Sequence, residues 1–284
     1  MIAIIDIGSN SVRLMLWADG KSLYKRVETT RLGEGIARSP FLLPAAIERT
    51  AQAVRAFKEE AEGLGAKVYA FATAAVRSAE NGGEFCARVR TLCNLEVDVV
   101  SGKDEALLGR VGALWNEEGG IIDVGGASSE ISFGKGKETF FSVSLDVGAV
   151  RLHDSCGQDR DKLLSAVSKH ILGLNGAKTA GKTYIIGGTA STLACLKLGL
   201  VRYDSAALQN LPISAGEIQT LVDRLFAMGV EERKALKGMD AKRADIIAGG
   251  ALLLLEIMKK LSLSTVYFSD MDNMEGYLIL RGLA

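Results

Sequence analysis

The sequence is poor in the features that would tie it to an oxidising compartment, a membrane or a nucleic acid. Its four cysteines, Cys86, Cys93, Cys156 and Cys195, show no Cys-x-x-Cys spacing and no framework density. Free thiols in a reducing cytoplasm are the expected state. Only two histidines are present, His153 and His170, with no partner pattern and no Cys/His metal cluster around them. The longest uncharged apolar run, residues 246–255, stops at Asp245 and Glu256, well short of the about 20 residues that a membrane span needs. The chain enters an apolar strand straight after Met1, so no signal peptide is expected and a cytoplasmic location is. An excess of one charge is also missing. Lys plus Arg and Asp plus Glu number 34 each, and residues 1 to 119 carry 15 basic against 16 acidic groups. A nucleic-acid polymer is therefore not an expected partner. Aromatics make up only 6% of the residues.

What the sequence does hold is apolar residues, 48% of the total, and 32 glycines in 284 positions, more than the ordinary share of about 7%. At about 150 residues per domain that length predicts two domains. Apolar patterning predicts strands at 2–5, 11–18 and 22–30, the last two joined by the Asp19-Gly20 turn. A helix follows from the spacing of Ile47, Ala51, Val54, Phe57, Ala61 and Leu64, then a strand at 67–72, a helix after Asn81, a strand at 95–100 and a helix at 103–115. After a break at 117–120, strands at 121–124, 129–133 and 138–144 restart the series. A helical region at 149–174 comes next, with strands at 183–186 and 265–268 and helices at 189–198, 214–228, 242–261 and from Asn273 onward. One order of elements occurs twice, so an α/β protein of two similar halves is expected, residues 1–119 and 120–284, with a cleft between them.

The turns repeat as well. Asp6 is followed by Ile7, Gly8, Ser9, Asn10 and Ser11, and Asp123 by Val124, Gly125, Gly126, Ala127, Ser128 and Ser129. Each is an apolar strand ending in Asp, then glycine, then small hydroxyl side chains. Glycine lets backbone amides approach an anion, and hydroxyls add donors. An Asp at the strand end suits a hard cation such as Mg²⁺ bound together with phosphate oxygens. Either turn alone reads first as an ordinary Asx or Gly hairpin, whereas a matched pair points to a shared phosphate clamp. A third glycine turn, residues 186–192, opens a helix and reads either as an anion site or as a cap. Arg77, after a strand end, is either a phosphate fork or a solvated surface residue. Ser101 and Asp104 have capping-box spacing, which leaves Glu105 spare in the first helical turn. Glu105 is then either a complement to the helix dipole or a general base for water.

These segments, with Arg13-Leu14, Arg31 to Gly35, Ala72 to Arg77, Ala79 to Gly82, Gly148 to Leu152, Arg243-Ala244-Asp245 and Ala248 to Ala251, resemble the exopolyphosphatase and guanosine pentaphosphate phosphohydrolase (Ppx/GppA) family in the same order along the chain. The resemblance implies two ribonuclease-H-like domains of the actin-like superfamily (ASKHA) flanking a catalytic cleft. It implies Mg²⁺-dependent removal of the terminal phosphate from polyphosphate or pppGpp. It matches Glu105 to a catalytic base, Asp123 and Glu130 to the second phosphate and metal motif, Gly8 to Ser11 to the first phosphate loop and Arg77 to a phosphate-holding arginine; Asp6, a carboxylate that would repel a polyanion without a cation, is expected to help Asp123 hold the metal. It also implies a short, often dimeric, member without extra C-terminal helical domains. Two departures stand out. Ala127 replaces a glycine of the second loop, and residues 269–276 keep Ser269, Asp270, Glu275 and Gly276 but lack the family's arginine and glycine. Altered substrate preference or weakened activity follows from the second. A non-catalytic nucleotide or polyphosphate sensor, or a kinase on the same fold, are the competing readings. Lys242 and Arg243 read equally well as a solvated helix start.

Overall fold

The computed structural model describes residues 1–283. In the first half, β1 (Ile2–Ile7), β2 (Ser11–Ala18), β3 (Lys21–Thr29), β4 (Lys67–Ala72) and β5 (Val97–Val99) form one sheet in the order β3-β2-β1-β4-β5. The first three run as an antiparallel meander and β4 and β5 add in parallel, the ribonuclease-H-like arrangement. Asp19 and Gly20 both adopt left-handed backbone, φ 52° and 74°, as a tight two-residue hairpin requires. Helices α1 (Pro44–Gly63), α2 (Ala74–Ser78), α3 (Gly82–Cys93) and α4 (Gly102–Leu114) complete this half. Pro44 opens α1, where its missing N–H costs nothing, and Ala51, Val54, Phe57 and Ala61 bury one stripe of it.

The second sheet repeats the plan. Strands β6 (Glu118–Val124), β7 (Ser129–Lys135), β8 (Glu138–Leu145), β9 (Lys182–Ile186), β10 (Pro212–Ser214) and β11 (Thr265–Phe268) lie in the order β10-β11-β9-β6-β7-β8. Helices α5 (Ala149–Cys156), α6 (Arg160–His170), α7 (Gly187–Leu198), α8 (Ser205–Leu208), α9 (Ala215–Phe226), α10 (Val230–Lys234) and α11 (Ile247–Lys260) belong to it, and α12 (Asn273–Leu280) follows β11. Helix α11, apolar on almost every face, is enclosed in the core of this half with Phe133 and Phe268.

Helix α12 returns to the first sheet. Its Tyr277 stacks on Phe71 of β4 at 4.9 Å between ring centroids, and Met274 and Leu278 close a cluster with Ile4, Met15 and Leu108. The crossing of α12 with α4 is so tight that a Cβ at Gly112 would lie 1.9 Å from the Asp272 carbonyl oxygen, and one at Gly276 1.9 Å from that of Leu108. Only glycine fits at either place.

Three local readings change. Residues 149–174 form two α-helices and a 3₁₀ turn, because Gly157 turns left-handed (φ 59°) and the Asp159 carboxylate caps α6 through the amides of Asp161 and Lys162. Strand β6 starts at Glu118, inside the expected break: Gly120 is paired in the sheet and lies under the Phe133 ring, where a Cβ would sit 2.2 Å from ring carbons. The last long helix starts at Ile247, after a 3₁₀ turn at Ala241–Arg243 capped by Asp240.

Candidate active site

The two glycine turns have one geometry. The Gly8 amide donates to the Ser11 carbonyl at 3.0 Å and the Gly125 amide to the Ser128 carbonyl at 3.1 Å. They face each other closely, since a Cβ on Gly126 would meet Ser9 Cβ at 3.0 Å and the Asn10 nitrogen at 3.3 Å. Gly33 and Arg31 hold the first turn from behind through the Ser9 and Asn10 carbonyls (2.7 and 2.9 Å). The first amides of α5 hold the second, Ala149 to the Gly125 carbonyl at 2.9 Å and Val150 to that of Gly126 at 2.8 Å. Gly8 to Ser11, Gly125 to Ser128, Gly187, Gly188, Asp6, Glu105 and Asp123 line one cleft. Ser129 does not face it; its hydroxyl donates to the Val147 carbonyl at 2.7 Å and ties the β7 start to the α5 approach.

Glu105 reaches the cleft because Ser101 starts α4 just before it. The Ser101 hydroxyl accepts from the Asp104 amide at 3.1 Å, and the Asp104 carboxylate bonds that hydroxyl rather than the Ser101 backbone, so the expected capping box is half-made. Glu105 is 6% exposed and its carboxylate takes Arg77 Nη1 at 2.8 Å. Burial pushes its carboxyl above the usual range, and Arg77 partly offsets this. Arg77 also donates to the Val100 carbonyl at 3.0 Å and lies 3.9 Å from Glu130. It is thus tied to Glu105 rather than standing free at the rim. Glu130 lies behind the second turn, accepting from Ser128 and Ser144 at 2.6 and 2.7 Å, and burial with the charges of Glu105 and Asp123 raises it strongly. Asp123 is pushed up to about 8 by burial and by Glu105, and its polar neighbour is Asn273 Nδ2 at 3.3 Å. Asp6 accepts from Arg13 Nε at 2.9 Å, and the same guanidinium binds Asp272. Burial raises Asp6.

Arg243, which the sequence left open between the cleft and a solvated helix start, lies at the cleft. Its side chain is 13% exposed, lies flat on Gly188, where a Cβ would touch its Cζ at 2.1 Å, and ends 3.5 Å from the Ser11 hydroxyl. Its nearest carboxylate is Asp240 at 3.7 Å. Of the cleft's cations it is the one least committed to an acid. The signal was its place in the Arg243-Ala244-Asp245 segment of the family resemblance.

Among the described residues no three acidic, His or Cys side chains converge on one ion position. The donors present fit a cation bound mostly by water and phosphate oxygens: hard carboxylates at Asp123 and Asp6, with Asp6 Oδ1 buried and without a partner.

Two ribonuclease-H-like sheets with mirrored glycine turns over a buried carboxylate define an actin-like, phosphate-handling class of protein. The chain belongs to the Ppx/GppA phosphatase family, whose model matches residues 18–281. It is 29% identical to exopolyphosphatase 2 of Mycobacterium tuberculosis over 92% of this chain and 90% of that protein. It is 27% identical to the bifunctional 3-dehydroquinate synthase/phosphatase of Fusobacterium nucleatum over 99% of this chain but 46% of that protein, so it spans about half of that relative's length. A crystal structure of the Aquifex aeolicus family member superposes with a TM-score of 0.80 at 28% identity, covering 99% of this chain and 97% of that one. An exopolyphosphatase structure from Cytophaga hutchinsonii has the same fold, with a TM-score of 0.87 at 23% identity over 99% and 98% of the two chains. Among the described residues no helix is long and apolar enough to cross a membrane.

Proposed function

We propose that the chain is a cytoplasmic, Mg²⁺-dependent phosphoanhydride hydrolase that releases the terminal phosphate of polyphosphate or of pppGpp. The observation that carries this reading is Glu105, a buried carboxylate held by Arg77 in the cleft that both glycine turns line. Water attacks the terminal phosphorus, and the bond to the bridging oxygen breaks. That oxygen stays on the shortened chain, the water proton passes to Glu105, and orthophosphate leaves. A base with a raised pKa suits this step near neutral pH. Gly8 and Gly125 close the two turns with their own amides and Ser128 is held by Glu130; the donors that remain, from Ser9, Asn10, Ser11, Gly126 and Ala127, hold the phosphoryl oxygens, with Arg243 across from them. Arg77 fixes the Glu105 carboxylate and adds positive charge beside the phosphates. Asp123, with Asp6 and Glu130 as helpers, would hold Mg²⁺, which when bound offsets the charge shared by carboxylates and phosphates. The relatives named exopolyphosphatase support the choice of polyphosphate.

Phosphate release from polyphosphate, pppGpp and ATP, assayed side by side, tests the reading. Release from either of the first two is expected. Binding without release would favour a sensor, and phosphate appearing on an acceptor instead of in solution would favour a kinase.

A further inference from the structure

A larger cavity, of about 420 Å³, opens on the far side of the phosphate cleft. The two share one wall, built from Arg13, Gly187, Gly188 and Arg243. Beyond that wall the cavity is lined largely by apolar side chains, among them Leu200, Val201, Tyr203, Met239, Phe268 and Met274. Four cations also border it, Arg13, Lys25, Arg26 and Arg243. A bare row of that kind would draw a phosphate chain through the wall. Each of the four, however, has a carboxylate beside it. Arg13 is shared between Asp6 and Asp272, and Lys25 lies 2.7 Å from Glu275 and 3.7 Å from Asp270. Arg26 pairs with Glu60, and Arg243 stands 3.7 Å from Asp240.

Asp272 is the acid that decides the wall. It is 5% exposed, lines the larger cavity, and is fixed as the cap of α12 by the Met274 amide at 3.0 Å. Arg13 is the one cation, besides Arg243, that faces both spaces, and Asp272 occupies the side of its guanidinium that Asp6 leaves open.

Building on the proposed hydrolysis, we propose that Asp272 is a specificity-determining residue that bars phosphate from the larger cavity. By neutralising Arg13 it confines bound phosphates to the cleft, and the space beyond takes a weakly charged group or stays empty. The preferred substrate class is a terminal triphosphate with no further anionic groups beyond it.

Two matched pairs of substrates isolate this charge: tripolyphosphate against long-chain polyphosphate, and GTP against pppGpp. Within each pair the reacting end is the same. Wild-type kcat/KM should favour the less charged member of both pairs by about tenfold, the effect of one like-charge contact in a partly screened site. Asp272→Asn keeps a good helix cap but removes the charge, and should bring both ratios close to one. Asp272→Glu keeps the charge and should keep the wild-type ratios. A ratio measured within one preparation does not change with the folded fraction, so destabilisation cannot imitate the effect. Wild-type ratios near one, or ratios that Asp272→Asn leaves unchanged, overturn the proposal. So does a shift in one pair alone, since charge exclusion is indifferent to what carries the charge. If no substrate is hydrolysed the proposed function fails instead, and the same ratios are then measured as Kd values by calorimetry. A tenfold ratio that Asp272→Asn abolishes still supports charge exclusion, and a ratio near one still overturns it.

Discussion

The two halves use one backbone device with opposite electrostatics. In the first, Asp6 of β1 pairs across the sheet with Arg13 of β2; in the second, Asp123 of β6 pairs across the sheet with Glu130 of β7. The glycine turn between them is the same to within 0.1 Å at its closing hydrogen bond, 3.0 against 3.1 Å. The first half therefore supplies its own counter-charge. The second places two carboxylates together and adds Glu105 from α4; Arg77 is tied to Glu105 and Arg13 offsets Asp123 only in part, so burial raises all three acids, with the charge of Glu105 adding to Asp123 and Glu130. An arrangement that holds acids against one another is stable only with protons or a cation among them. That is the physical case for a divalent ion centred on Asp123 of the second half, with Asp6 of the first half as its helper.

The largest expected effect is on Glu105, which faces both halves. Glu105→Gln should lower kcat by about 10² to 10⁴ while thermal stability stays equal or rises, because a buried charge is lost without a change of shape. Wild-type turnover in this variant would reduce Glu105 to a helix-dipole complement. Next comes a matched pair of substitutions read by urea denaturation. Arg13→Met leaves Asp6 and Asp272 buried without their cation and should cost about 3–5 kcal/mol. Glu130→Gln, at the equivalent place, relieves repulsion and should be neutral or stabilising. Equal losses from the two would erase the contrast between the halves.

Smaller, and specific in sign, is the pH dependence of stability without divalent ions. Asp123 ionises at about 8 in the folded chain against an ordinary 3.8, so between those values the folded state binds more protons than the unfolded one. Its contribution is therefore full below about 4 and is lost as pH rises to about 8. Thermal melts should show this decline in the wild type and a flatter profile in Asp123→Asn. A wild-type profile no steeper than that of the variant would mean that Asp123 is not held up by its neighbours.

Much of the fold was legible because alternation and glycine turns are local signals. Strands at 11–18, 67–72 and 265–268 match their predicted limits, and the doubled order of elements anticipated two like sheets. The place of Glu105 in the cleft was legible too, since Ser101 made it the spare acid of a first helical turn. What was not legible depends on contacts distant in sequence. Gly119 and Gly120 look like a break until the Phe133 ring is placed over Gly120. Arg243 looks solvated until α7 brings Gly188 beneath it. Arg13 meets Asp272 across a separation of 259 residues, and nothing local announces that α12 will recross to the first sheet.

The need of the second half for an external cation is tested most directly by phosphate release from tripolyphosphate in excess EDTA and then on back-titration with Mg²⁺. Negligible turnover in EDTA and full recovery with Mg²⁺ are expected, with protection of the apo-protein against thermal unfolding above pH 8 over the same concentration range. Undiminished turnover in excess EDTA would contradict a cation-dependent second half.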